Sequence, residues 1–149
     1  MREAVRLSLE NVAQGGGPFG AVIAKDGQIV ATGTNGVTRD NDPTAHAEIT
    51  AIRAAAQKLG TFDLSGCVIY TSCEPCPMCL AAIYWAHLGE IFFGNNQHDA
   101  RAAGFDDNFL YQQFALPAAQ RKIPMRPLLR PLAQSAFAAW TAATDKTCY

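Results

Sequence analysis

Two short stretches carry residue types that together can do metal chemistry: His46-Ala47-Glu48, and Pro75-Cys76-Pro77-Met78-Cys79. They read H-x-E and then P-C-x-x-C. One imidazole and two thiolates are soft-to-borderline ligands that suit zinc and leave a fourth tetrahedral position for water. A structural zinc is usually closed by a fourth protein ligand, whereas a carboxylate two residues from the histidine is what a hydrolytic site needs. Zinc lowers the pKa of a bound water toward about 7. Glu48 is not needed as a ligand and stands where it can take that water's proton and pass it on. The thiolates also offset the charge of the metal.

The same residues have plainer readings. A single C-x-x-C also makes a structural zinc knuckle or a redox pair, and a lone His-x-Glu arises by chance. Cys73, Cys76 and Cys79 form overlapping C-x-x-C pairs, so spacing alone leaves open which two are ligands.

The chain around these motifs has 149 residues, of which 49% are hydrophobic and 17% charged. That suffices for one domain with a sizeable core, expected to span 1–149. The net charge is -1 and the pI about 6.3, which gives no electrostatic case for nucleic acid or an anionic membrane. No apolar run is long enough to span a bilayer, and no charged-then-apolar leader opens the chain. Five cysteines, three of them between 73 and 79, fit metal binding in a reducing compartment better than a disulfide framework. The expected location is cytoplasmic.

The elements that must position the motifs follow from periodicity. Residues 2–13 place Val5, Leu9 and Val12 on one face of an amphipathic helix. Gly15-Gly16-Gly17-Pro18 ends it in a turn that can bring backbone close to a ligand. No Gly-Lys-Ser/Thr follows, so it is not a phosphate loop. Strands over 19–24 and 28–32 flank the hairpin signal Asp26-Gly27. Residues 34–43 read as loop, with Asn35 directly after a strand. Asp42 or Thr44 could cap the next helix, which runs to Gly60 and carries His46 and Glu48 in its first turn. Residues 66–71 are a near-continuous apolar strand, expected to be central. The strand runs into the cysteine cluster, and Pro77 opens a helix there. Both halves of the metal motif therefore fall at helix N-termini, where the macrodipole favours anions and backbone N–H groups could hold a developing oxyanion. Residues 90–94 make a further strand. An aromatic-rich helix over 108–114 and a final helix over 132–146 complete the order of a mixed sheet wrapped by helices. Between these two helices, Arg121, Lys122, Arg126 and Arg130 are dispersed among Pro117, Pro124, Pro127 and Pro131. That stretch reads as a strand or connector rather than a nucleic-acid stripe.

With these residues on the page, the chain resembles the cytidine deaminase superfamily, which shares both zinc motifs. The stretches GGPFGAVI (16–23), NDPTAHAE (41–48), TSCEPCPMCLAAIYWA (71–86) and AGFDDNF (103–109), with the terminal Tyr149, are similar to bacterial guanine deaminases. The resemblance implies an α/β, three-layer fold with a five-stranded mixed sheet flanked by helices. It implies His46, Cys76 and Cys79 as zinc ligands and Glu48 as the proton shuttle. Asn35 matches the asparagine that hydrogen-bonds the base, and Phe19, Trp85 and Phe105 match apolar pocket residues. Asp107, rather than its neighbour Asp106, matches a second acidic residue that contacts the substrate's amino side. The implied reaction is zinc-dependent hydrolysis of guanine to xanthine and ammonia. The implied assembly is a homodimer with the 131–149 segment exchanged and Tyr149 closing the partner's pocket. Two other substrate readings share the zinc motifs: a tRNA adenosine deaminase, which needs a basic surface, and an aminotriazine or nucleoside deaminase. A non-catalytic zinc-stapled binding module is the rival from another class, and four protein ligands on the metal would mark it.

Overall fold

A computed structural model describes residues 1–148. In chain order the elements are α1 (Arg2–Ala13), β1 (Gly20–Lys25), β2 (Gln28–Thr34), α2 (Val37–Asp40), α3 (Ala47–Leu59), β3 (Cys67–Cys73), α4 (Pro77–Trp85), β4 (Glu90–Asn95), α5 (Gln97–Ala102), α6 (Asn108–Ala115) and α7 (Arg130–Ala142). The chain divides into two compact units, Met1–Asn108 and the residues from Phe109 onward. No helix among the described residues is long and apolar enough to cross a membrane.

The first unit is built on a sheet of order β2-β1-β3-β4. β1 runs antiparallel to β2 and to β3, and β3 runs parallel to β4. Asp26 and Gly27 both have positive φ, the two left-handed residues that a tight hairpin with native twist requires. β3 lies inside the sheet as its apolar run predicts, with Ile69 fully buried.

Strand parity separates the two helical layers. Ala21 pairs with Gly33, and a side chain at Gly33 would collide with the backbone of α3. Gly20 has the opposite parity, and a side chain there would collide with the backbone of α1. α1 and α3 therefore cover opposite faces, and the glycines let each helix sit close to the sheet. Ala21, Ile23, Ala47, Ala51, Ala55, Ile69 and Ile83 form the core on the α3 and α4 side.

The inward face of α1 is not the predicted one. Ala4, Ser8 and Asn11 are buried, while Val5, Leu9 and Val12 are exposed. Small residues win the inward face because the helix axis lies so near Gly20 that larger side chains do not fit.

The expected five-stranded sheet is also corrected: among the described residues the sheet has four strands. The stretch between α6 and α7 holds a short 3-10 turn at Ala118–Gln120 and no strand. Prolines at 117, 124, 127 and 131 remove the donors a ladder needs. In the second unit none of the described residues is buried. Leu132, Phe137 and Trp140 on α7 are 67%, 76% and 45% exposed.

Candidate active site

His46 is the N-cap of α3 and Cys76 the N-cap of α4, both in extended backbone and neither using its side chain as a cap. Pro77 at the first helical position needs no N–H partner, so α4 can start immediately after Cys76. The expected caps of α3 act one turn earlier: Asp42 Oδ1 accepts from the Thr44 N–H (2.8 Å) and hydroxyl (2.7 Å). That Asx turn leaves the imidazole free to face the cysteines.

His46 Nδ1 lies 3.6 Å from Cys76 Sγ and 3.5 Å from Cys79 Sγ. On a tetrahedral zinc, nitrogen and sulfur ligands at about 2.0 and 2.3 Å stand roughly 3.6 Å apart. All three ligand atoms fall within 4.8 Å of one another, and no fourth protein ligand joins the group among the described residues. The donor set therefore fits an open zinc site. Cys73 is not part of it; its Sγ faces the Asn96 carbonyl at 3.8 Å, and burial pushes its thiol up to about 11.

The electrostatics prepare the thiolates. Hydrogen bonding from Cys79 lowers Cys76 to about 4, against the opposing effect of burial and with help from His46. The same contact with Cys76, then burial, raises Cys79. The two sulfurs thus share one proton, which a divalent cation would displace. The Cys79 N–H points at Cys76 sulfur. That donor stabilises the sulfur as an anion.

Glu48 is 7% exposed. Burial raises its pKa, and its carboxylate meets the Cys79 thiol. Asp107 is also raised, by burial and then by the charge of Cys76. A carboxyl held toward neutrality beside a metal is suited to exchanging protons near neutral pH.

A cavity of about 400 Å³ opens beside these groups. Its wall includes Phe19, Asn35, His46, Glu48, Phe105 and Asp107, so the structure gathers most of the predicted site residues. The rings of Phe19 and Phe105 meet edge to face, with centroids 4.8 Å apart at 81°. Asp107 is on the wall, while Asp106 is exposed and off it. Trp85 is not brought in: it ends α4, 64% exposed, away from the cavity. Tyr149 lies outside the described residues.

Sequence reasoning missed Val37, Thr38 and Glu74 on the wall. Val37 and Thr38 sit on α2, a single turn inside the stretch read as loop, too short for periodicity to reveal. Glu74 had a usable signal, since it lies inside the cysteine motif; its carboxylate accepts from the Gln97 N–H (2.9 Å) at the start of α5.

Comparison with known proteins agrees with this geometry. Guanine deaminase of Bacillus subtilis is 51% identical over 150 residues, spanning 100% of this chain and 96% of that protein. Its X-ray structure superimposes with a TM-score of 0.96 at 52% identity, covering 99% of this chain and 95% of that one. A solved guanine deaminase from Nitrosomonas europaea gives a TM-score of 0.69 at 32% identity, with 95% of this chain and 82% of that one covered. The tRNA-specific adenosine deaminase of Aquifex aeolicus is more distant, 38% identical over 62% of this chain and 62% of its own length. Residues 1–95 match the family described as the cytidine and deoxycytidylate deaminase zinc-binding region. His46, Cys76 and Cys79 all fall inside that match, and on this ground the chain belongs to the cytidine and deoxycytidylate deaminase family.

Proposed function

We propose that this protein is a zinc-dependent guanine deaminase, hydrolysing guanine to xanthine and ammonia. The carrying observation is an open His46-Cys76-Cys79 triad beside a buried carboxyl, facing a cavity with two aromatic rings. Full-length likeness to a guanine deaminase supports the choice of base.

His46, Cys76 and Cys79 would hold the zinc. When bound there, zinc supplies a hydroxide nucleophile near neutral pH. Glu48 accepts the proton of the attacking water. It returns that proton to the ring nitrogen beside the amino-bearing carbon 2, then takes the remaining proton of the added hydroxyl and passes it to the departing amino group. Ammonia leaves, and the added oxygen remains as the 2-oxo group of xanthine. Phe19 and Phe105, already packed edge to face on each other, give the flat ring an apolar wall. The Asn35 Oδ1 already takes the Val37 N–H (3.4 Å), which orients the amide so that its nitrogen is left to donate to the base. Asp107 accepts from the guanine N–H edge and can share the proton with Glu48.

The substrate is thus a small purine base. A homodimer with exchanged C-terminal segments suits a second unit without buried residues, because its apolar helix face needs cover from another surface. In that reading 1–149 is one domain whose 131–149 segment is exchanged, and Tyr149 closes the partner's pocket. A cytoplasmic setting keeps the thiolate ligands reduced.

Ammonia release from zinc-loaded protein on guanine, guanosine, adenine, cytidine and a tRNA anticodon hairpin tests the reading. Guanine is expected to be turned over at a kcat/KM at least about 10²-fold above the others, as a site with base-specific hydrogen-bonding groups requires. Turnover of the hairpin alone would overturn the guanine assignment.

A further inference from the structure

Asn11 is a buried polar side chain, 4% exposed, on the inward face of α1. It is not on the wall of the cavity that holds Glu48 and Asp107. Its amide nitrogen donates to the Gly17 carbonyl (2.8 Å) and to the Asn35 carbonyl (2.9 Å). Both amide hydrogens are therefore spent, one on each of two neighbouring segments of the cavity wall.

The surrounding backbone is fitted to this arrangement. The Asn11 carbonyl accepts from the Gly16 N–H (2.8 Å), and any side chain at Gly16 would collide with the Asn11 amide. A methyl at Gly17 would press on the Asn35 side chain at 3.2 Å and on the Phe19 ring at 3.3 Å. The Asn35 N–H in turn donates to the Phe19 carbonyl (3.2 Å). Asn11, Gly17, Phe19 and Asn35 thus form one connected set, in which two groups face the cavity and Asn11 braces them from behind.

The geometry points to Asn11 as a positioning residue for substrate binding: its amide sets the register between the glycine turn bearing Phe19 and the strand end bearing Asn35. No other residue type does this at the same reach. Serine has one donor, aspartate has none and would face two carbonyl oxygens, and glutamine is one methylene too long for a pocket this close. The inference rests on the guanine reading of the cavity and on Asn35 as the group that holds the base.

The test is steady-state kinetics on guanine with zinc-loaded Asn11→Asp and Asn11→Ala, each with its zinc content and melting temperature. Ser8→Ala is the control, because Ser8 is buried on the same face but bonds only within its helix, to the Val5 carbonyl (2.8 Å). For both Asn11 variants KM is expected to rise about 10-fold or more with kcat within about 3-fold and zinc retained, since two hydrogen bonds that orient uniform binding are lost. Ser8→Ala is expected to leave KM unchanged at a comparable loss in melting temperature. Combining Asn11→Ala with Asn35→Ala should raise KM by less than the product of the two separate effects, because both act through the same base contact. Should Asn35→Ala raise KM while the Asn11 variants do not, the positioning role is overturned and the base contact stands. An unchanged KM in Asn35→Ala would instead remove the base contact, and the Asn11 role with it. Should Asn11→Asp fail to fold, Asn11→Ala reads the same outcomes.

Discussion

The two units of this chain put their apolar residues to opposite uses. In Met1–Asn108 the apolar residues of β1, β3, α3 and α4 are enclosed: Ala21, Ile23, Ala51 and Ile69 are fully buried. From Phe109 onward Ile123, Leu128 and Phe137 are 79%, 82% and 76% exposed, and none of the described residues is buried. The difference teaches that the candidate metal ligands and cavity belong to the unit that has its own core, while the apolar side chains of the other unit are left without cover. The zinc triad, the buried carboxyl and the cavity all lie within the unit that encloses its own core. The other unit has most of α6, a 3-10 turn and the 13-residue α7 but no buried residue among those described, and helices of that length are marginal without tertiary packing.

The separation can be broken most sharply at the metal. His46→Ala should lose zinc and reduce guanine turnover to background, measured by metal analysis and ammonia release. Stoichiometric zinc in that variant would contradict the ligand set and with it the placement of the chemistry in the first unit. A smaller effect sharpens the contrast in packing. Ile69→Ala should cost about 3 kcal/mol in denaturant unfolding, from lost burial and a residual cavity. Phe137→Ala, exposed in its own chain, should cost under about 0.5 kcal/mol at high dilution. Equal costs at that dilution would mean that the second unit has an interior of its own. The mildest probe concerns cover for α7. A Leu132→Ser, Phe137→Ser variant should lower the concentration dependence of the melting temperature that a dimer confers. A wild-type melting temperature indifferent to concentration would remove the case for exchange.

How much of this was legible in the sequence depended on the physics behind each signal. The strands over 20–34 and 67–73 and the His46 and Cys76 helix starts were legible, because hairpin glycines, β-branched runs and Pro77 are local signals. The four strands read from periodicity are the four observed; the fifth came from family likeness and is absent among the described residues. The inward face of α1 was misread because hydrophobic periodicity assumes that large residues go inside. Here helix-to-sheet closeness set by Gly20 selects Ala4, Ser8 and Asn11. That same error hid Asn11, whose importance depends on two carbonyls brought together by tertiary structure. Val37 and Thr38 were hidden because one helical turn has no period to detect. Asp107 was chosen over Asp106 by family likeness alone, since periodicity does not tell adjacent residues at a helix start apart; the structure puts Asp107 on the cavity wall.

The central claim is that a proton held by Glu48, buried beside an open zinc site, drives hydrolysis of guanine. Its most direct measurement is kcat for guanine in Glu48→Gln, with zinc content determined on the same sample. A folded, fully zinc-loaded variant with kcat lowered by at least about 10²-fold is the expected result, the usual worth of a general acid–base. Near-normal turnover by that zinc-loaded variant would contradict it and assign the proton transfers elsewhere, with Asp107 the next carboxyl on the cavity wall.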